Sequence, residues 1–476
     1  MAYNKKSHLQ TNIEAIRTAF ILEKENRKPT GAERNLLMQY SGFGGLKCIL
    51  NPAQRETDKA YWSKSDIDLF PLVAGLHKLI REHSASEQEY KRYFGSLKNS
   101  ILTAFYTPPE VVKAIAESFR DNGIVNARFL EPSAGNGAFA EAFKQVSGNS
   151  ETVCFEKDLL TGKILSKLYA DDKVHIKGFE EIENHPKNKF DVVSSNIPFG
   201  DVAVFDASFS KSDDLARRQA SRAIHNYFFI KGVDVLREGG IQAFITSQGV
   251  MNSPANEPIR KWLMDNTNLV SAIRLPNNLF SDHAGTEVGS DLIILQKNSN
   301  KTSLTLEEQA FLKSRTLSNG AEINNYFRDF SRVVQTKAFA DTNQYGKPAM
   351  TFLHEGGVSG MSADLKKMLN DDFAKNLDLQ HYQSNGREPE MTRKSTAQLD
   401  WEENSLTMDD LFTNDDFMEE NQQKQERNTQ KNLFDSVVEK ESSKPKNSQS
   451  ESIEQKPLIT LYDLFGFTAE IGRAHV

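Results

Sequence analysis

Cysteine is nearly missing: the 476 residues include two, Cys48 and Cys154, far apart and in no Cys-x-x-Cys pair. A disulfide framework and a cysteine-based zinc site are thereby excluded, and no metal is expected. No apolar run approaches the ~20 residues of a membrane-spanning helix. With no signal-peptide pattern either, the expectation is a cytoplasmic protein without a membrane partner. Apolar residues are scarce as well, at 38% of the chain, and cluster before about residue 300. A sizeable part of the chain therefore lacks what a core needs. Excess positive charge is also missing: the net charge is −7, which at first argues against a nucleic-acid partner. Yet residues 401–420 hold eight acids (Glu402, Glu403, Asp409, Asp410, Asp415, Asp416, Glu419, Glu420) and no base, and without them the balance is +1. The overall sign does not exclude DNA.

What is present divides the chain into four stretches. Residues 1–100 read as a polar, helical N-terminal segment, broken once at SGFGGLKCIL (Ser41 to Leu50), a loop between helices or a glycine-lined approach to a ligand. Residues 101–300 alternate short apolar runs (RFLEP, ETVCFE, KVHI, FDVVSS, IQAFIT, SDLIILQ) with amphipathic helices such as PPEVVKAIAESF. That alternation predicts an α/β domain with a largely parallel sheet. Residues 301–375 keep a mixed, partly helical pattern. Residues 376–476 are rich in Gln, Asn, Ser, Lys and Glu and predict a disordered, acidic tail. Within it SLTMDDLF, NLFDS and ITLYDLFGF repeat a Leu/Phe pattern, either a docking motif for a protein partner or chance in biased composition. The last seven residues, EIGRAHV, match the translation of a common sequencing adapter and read as artefactual, with the natural chain expected to continue.

Four motifs stand in order in the α/β stretch. FLEPSAGNGAF (Phe129 to Phe139) follows a predicted strand and opens a predicted helix, so Gly135 and Gly137 form a turn where backbone comes close to a ligand. About twenty residues on, ETVCFEKD ends a strand at Glu156, where an acid can accept both hydroxyls of a ribose, with Asp158 as the alternative. Upstream, AFYTPPEVVKAI reads as a proline-started helix with a Thr107/Glu110 capping box. Downstream, FDVVSSNIPFG ends an apolar strand in an amide, a proline and an aromatic ring, a combination that a plain turn does not need.

Taken together, FYTPPEVV, FLEPSAGNGAF, the strand-ending Glu156 and NIPF resemble the gamma class of N6-adenine DNA methyltransferases, over roughly Ile101 to Lys297. The nearest variant is the methylase-like region of large, helicase-associated proteins of bacterial mobile elements and phages, where restriction-modification chemistry is the setting. The resemblance implies a Rossmann-like S-adenosylmethionine-dependent methyltransferase fold with a mostly parallel seven-stranded sheet. It implies S-adenosyl-L-methionine as cofactor, held by Tyr106, Thr107, Pro108, Glu131, Pro132, Ala134, Gly135, Gly137, Glu156 and Phe179, and DNA as partner. Asn196 and the carbonyl of Ile197 then accept the amine hydrogens of a flipped adenine, Pro198 stiffens the loop and Phe199 stacks on the base. Phe280 is expected as a second aromatic against that base, or as a core contact.

Two departures from the family pattern stand out. The aspartate that usually ends the third strand is Gly178 here, in KGFEE, with Phe179 left to cover the cofactor's adenine and Glu180 as a candidate substitute. Ile197 replaces a proline, leaving the loop less constrained. His225 reads as a polar residue at a helix start, since amine methylation needs no strong base. Two other readings stay open: a protein glutamine-amide methyltransferase, which uses the same kind of loop, and an inactive methylase fold serving as a DNA-binding or anti-restriction module.

Overall fold

The computed structural model describes residues 4–384 apart from 104–105, 184–188, 282–287 and 344–345. Expectations for the acidic tail, its Leu/Phe motifs and its last seven residues lie outside the described residues. Seven strands form one sheet: β1 (Arg128–Glu131), β2 (Glu151–Phe155), β3 (Lys173–His175), β4 (Phe190–Asn196), β5 (Leu236–Ser247), β6 (Thr267–Leu275) and β7 (Ser290–Lys297). Their order is β3-β2-β1-β4-β5-β7-β6. Neighbours run parallel except at β7, which is antiparallel to both β5 and β6. The expected Rossmann-like, mostly parallel seven-stranded sheet is therefore present. Six of its strands are the apolar runs read from sequence, and the seventh, β6, lies in TNLVSAIRL.

Both faces of the sheet are covered, which is why its strands read as continuous apolar runs rather than alternating ones. Successive side chains point to opposite faces. Phe129, Val192 and Ala243 join one core, while their neighbours Leu130, Val193 and Phe244 join the other. Over the first face lie α1 (Lys5–Lys24), α2 (Gly31–Met38), α3 (Phe70–Glu82), α4 (Glu87–Thr103), α5 (Pro109–Asp121), α6 (Ala138–Ser147) and α7 (Leu159–Leu168), sharing one continuous core. The N-terminal helices α1, α2 and α4 thus pack against α7 on this face. Over the second face lie the helices Ile224–Val235 and Glu257–Asn266.

The chain beyond β7 returns to this body. Leu365, Leu369 and Phe373 of helix Gly357–Asn376 are buried in the first core, and Phe373 meets Phe119 edge-on at 5.1 Å. The folded unit also passes the boundary expected at residue 375. Asn376 Nδ2 donates to the Val270 carbonyl at 2.9 Å, and the Tyr382 ring is buried beneath the Arg237 guanidinium, 4.4 Å from its centroid. A polar composition hid these few anchoring residues.

Candidate functional site

β1, β2, β3 and β4 are parallel neighbours, so the turns at their carboxyl ends line one edge of the sheet, where open α/β folds bind ligands. The first of these turns joins β1 to α6. Gly135 and Gly137 both have positive φ, +54° and +80°, a region that side-chain-bearing residues avoid. Their missing side chains make room for the chain's own rings: a Cβ at Gly135 would lie 2.5 Å from Tyr106, and one at Gly137 would lie 2.3 Å from Tyr169. Tyr169 also donates its hydroxyl to the Gly137 carbonyl at 3.0 Å. Glu131, 1% exposed, turns under the loop and accepts the Ala140 N–H at 2.8 Å, and burial pushes its carboxyl well above the usual range. Its place is beneath the turn, bracing the start of α6. Pro132 and Ala134 are buried beside it, with the Ala134 N–H donating to the Phe155 carbonyl at 2.9 Å.

Glu156 lies at the end of β2 and is held from two sides. One carboxylate oxygen accepts the Gly135 N–H at 2.8 Å and the other the Asp158 N–H at 2.7 Å. Burial, and then the neighbouring charge of Asp158, push its pKa up to about 7. Each oxygen retains a lone pair for a further donor. Asp158 is differently occupied: its carboxylate accepts the Thr161 N–H at 2.9 Å as the N-cap of α7 and also the Ser96 hydroxyl. Asp158 is committed to α7 and α4, whereas Glu156 is joined to the glycine turn itself through Gly135.

The Tyr106 ring packs over this turn, but the capping box expected at Thr107 and Glu110 does not form. The N-cap of α5 is Pro108, no side chain caps it, and Pro109 occupies the first turn. Thr107 is 4% exposed, and its hydroxyl has no hydrogen-bond partner among the described residues. A buried hydroxyl left this way costs about 1–3 kcal/mol unless something else meets it. Together with the free lone pairs of Glu156, that orphaned hydroxyl fits a polar nucleoside ligand.

The NIPFG loop leaves the end of β4, beside β1. Ser195 ties the two turns together, its hydroxyl donating to the Ser133 carbonyl at 2.9 Å, and the Ile197 N–H donates to the Ile245 carbonyl at 3.0 Å. Asn196, Pro198 and Phe199 are partly exposed at the rim, whereas the Ile197 side chain is 2% exposed and anchors the loop. Gly200, at φ +123°, donates its N–H to Nδ1 of the buried His225 at 3.3 Å. Burial lowers the His225 pKa, which keeps Nδ1 an acceptor. His225 is a brace for the loop, a role its sequence position gave no sign of.

At the end of β3, Phe179 is 1% exposed, packed between Phe155 and Phe228 at 6.5 and 5.1 Å. The Glu180 carboxylate folds back over Gly178 and accepts the Lys157 ammonium at 2.6 Å. Of the two places expected for Phe280, against a base or in the core, the structure shows the core. It is 0% exposed, because the residues after β6 turn inward at Asn277–Phe280.

A family model described as N-6 DNA methylase matches residues 92–390. The phage P1 protein named defense against restriction protein B is 26% identical over 201 residues, 41% of this chain and 8% of that protein. The Bacillus subtilis type II methyltransferase M.BsuBI is 24% identical over 270 residues, 50% of this chain and 51% of that protein. The chain thus spans about half of one of these curated relatives and a small part of the other. Among solved structures, the methyltransferase subunit of a type I restriction-modification system from Streptococcus thermophilus aligns at a TM-score of 0.36 and 14% identity, over 69% of this chain and 92% of that one.

Proposed function

Because this chain belongs to the N-6 DNA methylase family, we propose that it methylates the exocyclic N6 amine of adenine in DNA, with S-adenosyl-L-methionine as methyl donor. One observation carries the reading: the glycine turn after β1 and the NIPFG loop after β4 sit on adjacent parallel strands and are tied by the Ser195–Ser133 hydrogen bond. A nucleoside held at the first has its reactive end beside the second.

When bound, the cofactor supplies an electrophilic methyl group on a sulfonium. The chain's own residues do the rest. Glu156 accepts the ribose hydroxyls, the backbone of Ala134 to Gly137 and the Tyr106-Thr107-Pro108 segment enclose the remainder, and Glu180 lies toward the nucleobase, at the end of the next strand out. Asn196 and the Ile197 carbonyl accept the two amine hydrogens of the target adenine. Those bonds draw the nitrogen toward tetrahedral geometry and free its lone pair, without a strong base. Phe199 gives the flipped base a surface to stack on, an interaction of about 1–3 kcal/mol. His225 and Ser195 keep the loop in place, so that much of the rate comes from positioning.

Transfer of tritium from labelled S-adenosylmethionine to DNA tests this directly, with Asn196→Ala as the control. Label in DNA that disappears with the variant is the expected result. Label in a protein glutamine instead would favour the amide reading, and DNA binding with no transfer would favour a non-enzymatic module.

A further inference from the structure

We propose that Ser96, in the N-terminal helical region, is a positioning residue for the ribose-binding acid, so that the cofactor site is completed from outside the α/β sheet. The inference rests on the cofactor reading above. Both hydrogen bonds that orient the Glu156 carboxylate come from backbone N–H groups, of Gly135 and Asp158. The carboxylate therefore points correctly only if the Glu156-Lys157-Asp158 turn is held.

Ser96 holds it. This residue sits on α4, is 3% exposed, and lies 62 positions from Asp158 in the chain. Its hydroxyl donates to one oxygen of the Asp158 carboxylate and accepts the Leu160 N–H at 3.0 Å. The other Asp158 oxygen accepts the Thr161 N–H. Beside it the Tyr40 hydroxyl meets Thr161 Oγ1 at 3.3 Å, and the Phe43 N–H donates to Ser100 of the same helix α4 at 3.0 Å. A turn that carries the ligand-binding acid is pinned at its start by β2 and at its end by a helix outside the sheet.

Ser96→Ala removes both bonds, leaving an Asp158 oxygen and the Leu160 N–H to find new partners by moving the turn. The measurement is calorimetry with S-adenosylhomocysteine, the demethylated product, on the full chain. Ser96→Ala is expected to weaken binding on the order of 10-fold, while Ser96→Thr keeps most of the affinity. Glu156→Ala makes the decisive background, because two residues acting through one contact give non-additive losses. There, adding Ser96→Ala should cost nothing further. If Ser96→Ala binds like the parent, or loses as much in the Glu156→Ala background as alone, the proposal falls. Should the serine variants fail to fold, hydrogen exchange of the parent decides: the product should slow exchange at Leu160 and Thr161, and unchanged exchange there overturns the inference. A parent that binds no S-adenosylhomocysteine would sink the cofactor reading itself. A loss at Glu156→Ala without one at Ser96→Ala would sink this inference alone.

Discussion

The carboxylate of Glu180 occupies the space in which a side chain on Gly178 would begin: a Cβ there would lie 2.3 Å from one carboxylate oxygen and 2.4 Å from the carboxyl carbon. Backbone strain is not the reason for the glycine, since residue 178 has φ −72° and ψ 154°, open to any amino acid. The reason is space. The resemblance leads one to expect an aspartate at the end of this strand, and here the carboxylate of a glutamate two positions later fills the space where a side chain at 178 would begin.

A reciprocal exchange follows. Gly178→Asp alone should weaken S-adenosylhomocysteine binding, because two carboxylates cannot share the site, and Glu180→Ala alone should weaken it by removing the acceptor. The double variant Gly178→Asp/Glu180→Ala should recover much of the affinity, a coupling of about 0.5–3 kcal/mol for residues in contact. Additive losses in the titration would show that the two positions are unrelated.

Cofactor affinity should depend on pH through Glu156. With its pKa raised to about 7 by burial and by Asp158, the acid is largely protonated at pH 6 in the free protein. Ribose hydroxyls donate to the ionised form, so binding expels a proton. Affinity should rise from pH 6 to 8 and fall toward tenfold per unit below about 7. Stability has the opposite sign. The folded pKa stands above the ordinary 4.5, so this group's contribution is present at low pH and lost as pH rises through about 7. Glu156→Gln should flatten both dependences in calorimetry and in thermal melting.

Asn196→Ala should lower methyl transfer to DNA by at least ~100-fold, as on losing one preorganised electrostatic contact. Cofactor affinity should stay near that of the parent, since the Ser195–Ser133 tie and the Gly200–His225 brace do not involve the amide. Single-turnover rates beside equilibrium titrations separate the two effects, and a parental rate in the variant contradicts the acceptor role.

A chain ending at residue 386 should melt higher than one ending at residue 375. The shorter chain loses the Asn376–Val270 hydrogen bond and the buried Tyr382 ring, and burying one large side chain contributes about 1.5–3 kcal/mol. Equal melting temperatures would put the edge of the folded unit back at residue 375.

Much of the fold was legible because strand and helix patterns are local. RFLEP, ETVCFE and FDVVSS announce strands by apolar composition alone, and the glycine turn and NIPF loop follow two of them directly. TNLVSAIRL was harder to read, with polar Thr267, Asn268, Ser271 and Arg274 interrupting its apolar run; Arg274 is in fact buried and paired with Asp291 on the neighbouring strand. The Thr107 capping box was a sound local pattern that lost to packing: prolines at 108 and 109 start the helix, and the threonine faces inward.

By itself, the sequence determined six of the sheet's seven strands, the order of the four motifs, and the amide and acid that the chemistry asks for, because each depends on residues adjacent in the chain. Tertiary structure alone decided that the Glu180 carboxylate folds over Gly178, that His225 braces Gly200, that Phe280 belongs to the core, and that Ser96 reaches Asp158. Those relations join side chains brought together by packing, and no periodicity or spacing encodes where a packed helix will deliver a hydroxyl.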